Sequence, residues 1–261
     1  MTFPLTSSTL LALGAAVLGF GSPASAGTIT TFSTDSTSAN LAATYSDWTF
    51  QTNQGVADVS GGQLRFSGLS SNTQLFTYNT TFSGAFTLDT LVSGTGNAGN
   101  FNVGLYIGLP GNQSSVIAMG TDSNASTDRI VFHPGYGGGA LRVEGGGGFG
   151  NQNVGFTTAL SVLADLSLTS DGLGHFTVKL TDGTNPALTY TTTFSNAALS
   201  GQALTIGMTA AGGEGSSYAL FDNPSVSTLN AGAAVPEPAS LAILGVGFAS
   251  VQMFRNRRRR A

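Results

Sequence analysis

The chain has 261 residues, 41% hydrophobic and 8% charged, with thirteen acids, nine lysines and arginines, and no cysteine. Without cysteine there are no disulfides, thiolate metal sites or cysteine nucleophiles, and the fold rests on its core alone. Five of the nine cations are Arg255, Arg257, Arg258, Arg259 and Arg260; with Glu237 they form the tail, and the body keeps four cations against twelve acids, a net charge of −8 that disfavours nucleic acid and anionic membrane as partners.

At the N-terminus, Leu10 to Phe20 is an apolar run of 11 residues followed by Ala24-Ser25-Ala26. An apolar stretch before small residues is the pattern of a secretory signal peptide, a helix over 1–26 handled by the general secretion machinery, with Ala24 and Ala26 at the cleavage positions. Met1 to Thr9 holds no Lys or Arg, so a retained anchor is the alternative.

The segment 27–230 alternates. Phe101, Val103, Leu105 and Ile107 share one face of a stretch, as do Leu160, Val162, Ala164, Leu166 and Leu168, then Phe176, Val178 and Leu180, then Leu204, Ile206 and Met208. Period two predicts half-buried antiparallel strands. Turn signals separate them at Ser60-Gly61-Gly62, Pro110-Gly111-Asn112, Asp171-Gly172 and Asp182-Gly183. No body stretch reads as a helix, so the expectation is one all-β domain, an antiparallel two-sheet β-sandwich of about a dozen strands. The Gly-rich stretch Gly135 to Gly155 brackets a short strand, Ala140 to Glu144, and predicts loops at one sandwich edge.

Candidate chemistry is sparse. Glycoside hydrolysis on a sandwich needs two carboxylates across the scissile bond. The strand pattern Glu-x-Asp-x-x-Glu is absent, and the body holds only Glu144 and Glu214, both in Gly-rich surroundings, although an Asp pair remains open. His133 and His175 have no Gly-x-Ser-x-Gly elbow beside them. His175 reads as solvated on a polar strand face; His133, before Pro134, reads as loop or ligand-facing. Asp122-Ser123-Asn124-Ala125-Ser126-Thr127-Asp128 offers two carboxylates and several oxygen donors, a set that suits calcium, with Asp222 as a further ligand; a solvated hairpin loop is the alternative. Trp48, Tyr106 and Tyr136 are either sugar-stacking residues or core.

A linker over 231–235 leads to Pro236-Glu237-Pro238, whose prolines lack an N–H and hold the chain extended. Residues 239–254 are 16 uncharged positions, which as a helix reach about 24 Å, somewhat short of a ~30 Å hydrocarbon core. The arginines behind them can snorkel and stay cytoplasmic, leaving the Pro-Glu-Pro end outside. Tripeptide, transmembrane helix and arginine cluster, in this order over 236–261, resemble the PEP-CTERM sorting signal. The resemblance implies export, anchoring in the inner membrane and processing by an exosortase that recognises Pro236, Glu237 and Pro238, then delivery to the cell surface or extracellular matrix.

The body resembles laminin-G or concanavalin-A-like sandwiches (the jelly-roll class) in three stretches: Trp48-Thr49-Phe50 leading to Gly61-Gly62-Gln63-Leu64-Arg65-Phe66, Phe101 to Gly108 leading to Ile130-Val131-Phe132-His133-Pro134-Gly135, and Tyr218 to Ser227. Pro224 stands where those modules carry an apolar residue, and is expected to end ladder pairing. The resulting expectation is a non-enzymatic envelope or matrix protein that binds extracellular glycan or serves a structural role in exopolysaccharide. The alternative is a glycan hydrolase on the same fold.

Overall fold

The computed structural model describes residues 26–29, 32–52, 55–68, 73–95, 102–113, 126–133, 139–148, 150–155, 163–212 and 218–229. Its strands, in chain order, are β1 (Ala26–Thr28), β2 (Trp48–Thr52), β3 (Val56–Ser60), β4 (Gln63–Ser67), β5 (Gln74–Tyr78), β6 (Ala85–Thr95), β7 (Asn102–Gly108), β8 (Thr127–His133), β9 (Ala140–Gly145), β10 (Gly150–Asn153), β11 (Ala164–Ser170), β12 (His175–Thr181), β13 (Thr189–Ser195), β14 (Thr205–Ala211) and β15 (Tyr218–Leu229). They form two antiparallel sheets. Sheet A runs β13-β12-β11-β6-β15-β4-β3, with β1 also on β15; sheet B runs β10-β9-β8-β7-β14-β5-β2. The expected all-β two-sheet sandwich is the observed architecture.

The alternation expected of β11 and β12 is realised residue by residue. Leu166, Leu168, Phe176, Val178 and Leu180 are buried, while Ser167, Thr169, Thr177 and Lys179 face outward. On the inner faces, Trp48 stacks on Phe76 at 4.9 Å within sheet B and Phe66 meets Phe221 at 5.3 Å within sheet A, while Phe50 of β2 reaches Phe66 of β4 at 5.8 Å across the two sheets. Each such ring contributes about 1.5–3 kcal/mol by leaving water, and more through its aromatic partners. The β3–β4 hairpin turns at Gly61 and Gly62, with φ of 60° and 84°, the left-handed pair that a two-residue hairpin demands.

Three expectations are corrected. Two short helices occur in the body: α1 (Leu41–Thr44) and a single 3₁₀ turn, η1 (Ala197–Leu199). Each is too short to show a helical period. They form because Leu41 and Leu199 insert into the core and because Asn196 caps η1, its side chain accepting from the Ala198 N–H at 3.1 Å. Second, β7, β8 and β14 are not half-buried. Leu75, Tyr106, Arg129, Val131 and Thr209 are buried on the face of sheet B that points away from the core. Third, Pro224 interrupts pairing without ending it. The register of β15 against β6 shifts between Asp222 and Ser225, Asn223 takes φ 48°, and the ladder resumes through Leu229. A proline has no ladder donor, so the chain bulges past it. On the opposite edge of β15 the partner changes at this bulge, from β4 at Tyr218–Phe221 to β1 at Ser225–Ser227. The expected short strand Ala140 to Glu144 is observed as β9.

Phe101, Leu160 and Val162 lie outside the described residues, as do residues 1–25 of the expected signal helix, whose last residue Ala26 is in β1, and the expected transmembrane helix at 239–254. Among the described residues no helix is long and apolar enough to cross a membrane.

Candidate functional site

Cross-strand register sorts the outward side chains of sheet A into rows. Ser227 pairs with Thr87, Thr87 with Thr169, Thr169 with Thr177, and Thr177 with Thr193. Directly opposed residues share a face, so five neighbouring strands present one hydroxyl each in a line. At ~4.8 Å per strand the line runs about 19 Å. The Thr87 and Thr169 hydroxyls are 2.9 Å apart and hydrogen-bonded. The next row reads Ser225, Asp89, Ser167, Lys179 and Thr191, and the third Asp222, Leu91, Asp165, Thr181 and Thr189. The surface is open: Thr191, Thr193, Ser195 and Lys179 are exposed, and the residues of the central strands are half-buried.

Along the β11–β13 part of the first row lies a groove of about 540 Å³ lined by Thr169, Asp171, His175, Thr177, Thr193 and Ser195. The β11–β12 turn builds its rim. Gly172 adopts φ +78°, and a Cβ there would lie 2.7 Å from the Gly84 backbone, so only glycine fits this approach. Asp171 accepts from the Leu173 N–H at 2.6 Å and sits 2.7 Å from His175 Nδ1, while the His175 side chain stays 66% exposed. Slight burial pushes the Asp171 carboxyl up, but the hydrogen bonds from His175 and Leu173 outweigh it and hold the group below its ordinary value. The result is a fixed, ionised acceptor beside an outward imidazole. Behind it, burial and then the neighbouring Asp89 raise the Asp165 carboxyl, with Lys179 opposing.

The outer face of sheet B is different. Arg129 is 1% exposed and pairs with Glu144, which also pairs with Arg142; Arg129 Nη1 donates to Thr73 Oγ1 at 3.3 Å. His133 ends β8 beside them, buried; burial first, then Arg142 and Arg129, lower its pKa to about 4, so the ring is neutral. This is an internal ion network. A second open cleft, about 670 Å³, lies between the α1 segment and the β3–β4 hairpin and includes Asp35, Asp58 and Arg65.

The residues singled out from the sequence fall as follows. Asp128 is fully buried; its carboxyl oxygens accept from the Gly147 N–H at 2.6 Å and from Asn196 Nδ2 at 2.7 Å, tying β8 to the turn after β13. Asp222 lies on the outer face of sheet A, where Gln63 Nε2 approaches at 3.5 Å. Asp128 and Asp222 thus sit in different sheets and face different spaces. Asp122 lies outside the described residues, among which no cluster of three or more His, Cys, Asp or Glu is placed to hold a metal. Trp48 is buried in the core, Tyr106 is buried with Leu75 on the outer face of sheet B, and His175 is solvated as expected. Ala26 begins β1 opposite Ser227. Ala24, Tyr136, Glu214, Pro236, Glu237, Pro238, Arg255, Arg257, Arg258, Arg259 and Arg260 lie outside the described residues. The hydroxyl row escaped sequence reading. Its one linear trace is Thr189-x-Thr191-x-Thr193.

In comparison with known proteins, residues 234–260 match the PEP-CTERM protein-sorting motif. The fold is similar to that of lectin II from Ulex europaeus, at 14% identity and a TM-score of 0.55 over 70% of this chain and 93% of that one. Arcelin-5, a lectin-like defense protein from Phaseolus vulgaris, aligns at 12% identity and a TM-score of 0.53 over 70% and 92%. Lectin I from Ulex europaeus, in complex with the methyl glycoside of α-L-fucose, aligns with the same identity, score and coverage as arcelin-5. No curated protein matches the chain in sequence.

Proposed function

We propose that this is an exported protein, anchored in the inner membrane by its C-terminal segment and processed there by an exosortase, whose sandwich domain binds glycan of the envelope or extracellular matrix without catalysis. The observation that carries the reading is the sorting motif at 234–260. The lectin-like fold supports the glycan part, since a neighbour of this architecture holds a fucoside. The body's net charge of −8 supports a neutral partner over nucleic acid or anionic lipid.

The test is processing in the native host. The wild-type chain is expected at the surface or in the matrix with the mass of residues 237–261 or more removed from its C-terminus. Replacing Pro236, Glu237 and Pro238 by alanine is expected to leave the full-length chain in the inner membrane. Equal mass and location for both, or a wild-type protein fractionating with the cytoplasm, contradicts the reading.

A second reading rests on Asp89 and Asp165, two carboxylates on one face of adjacent strands, one of them raised by burial and by the other. Glycoside hydrolases divide acid and base roles between such a pair. Under this reading a neutral glycan is depolymerised by the wild type and left intact by Asp165→Asn; binding with no product excludes it.

A further inference from the structure

We infer that the glycan-binding face is the outer side of sheet A, and that a linear, neutral polysaccharide lies across its strands along Ser227, Thr87, Thr169, Thr177 and Thr193, with the Asp171–His175 groove running beside its β11–β13 part. The inference rests on the glycan reading above and adds the site, the direction and the charge class of the ligand.

Register carries the direction. Hydroxyls repeat at every strand along the row, about 4.8 Å apart, but only every second residue, about 6.8 Å, along a strand. A chain of sugar rings brings hydroxyls past the surface ring after ring, so the denser line running across the strands meets it most often. Each threonine hydroxyl offers one donor and two acceptor positions and turns to suit either partner. The Thr87–Thr169 bond orients two of them and polarises the pair. Among the described residues Thr177 and Thr193 make no side-chain bond within the protein, so their hydroxyls are available.

Chemistry beside the row selects the ligand. Asp171 is a charge-assisted acceptor for sugar hydroxyls, held by three bonds from its own turn. Leu173 in that turn is 66% exposed, an apolar ledge for the C–H face of a ring. Asp89, Asp165, Asp171 and Asp222 border the rows, with Lys179 the cation between them. A carboxylated or sulfated glycan meets like charge here, and a neutral one does not.

The experiment passes the full-length chain in detergent over amylose, cellulose and polygalacturonate matrices. Wild type is expected to be retained by a neutral matrix and to pass through polygalacturonate. T169V/T177V/T193V removes three hydroxyls, keeps β-branched residues on the strands, and is expected to weaken retention about tenfold or more. T169S/T177S/T193S keeps the hydroxyls and is expected to bind like wild type, which separates recognition from folding. T37V in the second cleft is expected to change nothing. Undiminished retention of the valine variant overturns this site and leaves the glycan reading standing. Passage of wild type through both neutral matrices overturns both. A valine variant that changes oligomeric state by light scattering, with retention intact, identifies the face as a self-contact and overturns the site.

Discussion

The two sheets of this sandwich treat their outer faces in opposite ways. Sheet B buries its second face, where an ion network sits beside Leu75, Tyr106 and Val131: Arg129, Arg142 and Glu144 pair internally, and His133 is held neutral beside them. Sheet A leaves its second face open and lines it with threonine and serine in register across five strands. Both faces carry polar and charged groups, so their presence alone says little about role. Burial separates them: polar groups out of water must be matched inside the protein, whereas those in water remain free for a ligand.

The comparison breaks first at Glu144. Glu144→Gln leaves two arginines against a neutral amide, and loss of one partner of a buried pair costs about 3–5 kcal/mol. Urea unfolding at neutral pH is expected to show that loss; a change near zero would mean the network does not hold sheet B.

The next effect is pH dependence. His133 has its folded pKa lowered from 6.5 to about 4, so between these values the unfolded chain binds the proton and the folded one does not. The His133 contribution is complete above pH 6.5, falls as the pH drops, and is gone by about pH 4, a loss of about 3 kcal/mol. His133→Asn is expected to flatten that part of the stability–pH curve. Asp171, whose folded pKa is lowered, contributes above the unfolded value and loses that contribution only in stronger acid.

The smallest stability effect belongs to the open face. T169V/T177V/T193V is expected to shift unfolding by no more than about 0.5 kcal/mol per site, the ordinary range for surface changes, while binding falls. A large destabilisation would show the hydroxyls to be structural, as the polar groups of sheet B are.

How much of this the sequence revealed depended on whether a feature was local. The alternation of Leu166, Leu168, Phe176, Val178 and Leu180 is a property of one strand at a time, and it was legible, as was the Gly61-Gly62 hairpin. The second buried face of sheet B was not. Arg129 and Arg142 alternate with apolar neighbours as solvated residues do, and only the pairing of β8 with β9 places Glu144 opposite Arg129. Pro224 was expected to end pairing, but the ladder recovers after a bulge because β6 continues beyond it, which no local signal shows. The hydroxyl row combines residues 87, 169, 177, 193 and 227, far apart in the chain, and it exists only once four registers are set. The sorting motif is contiguous, so sequence alone located it.

The contrast between the faces is tested most directly by hydrogen exchange of the full-length chain with and without saturating neutral glycan, read by mass spectrometry. The account predicts slowed exchange in peptides covering 164–195, which hold β11, β12 and β13, and unchanged exchange in those covering 127–145, which hold β8 and β9. Protection of β8 and β9 with none in β11 to β13 would contradict it.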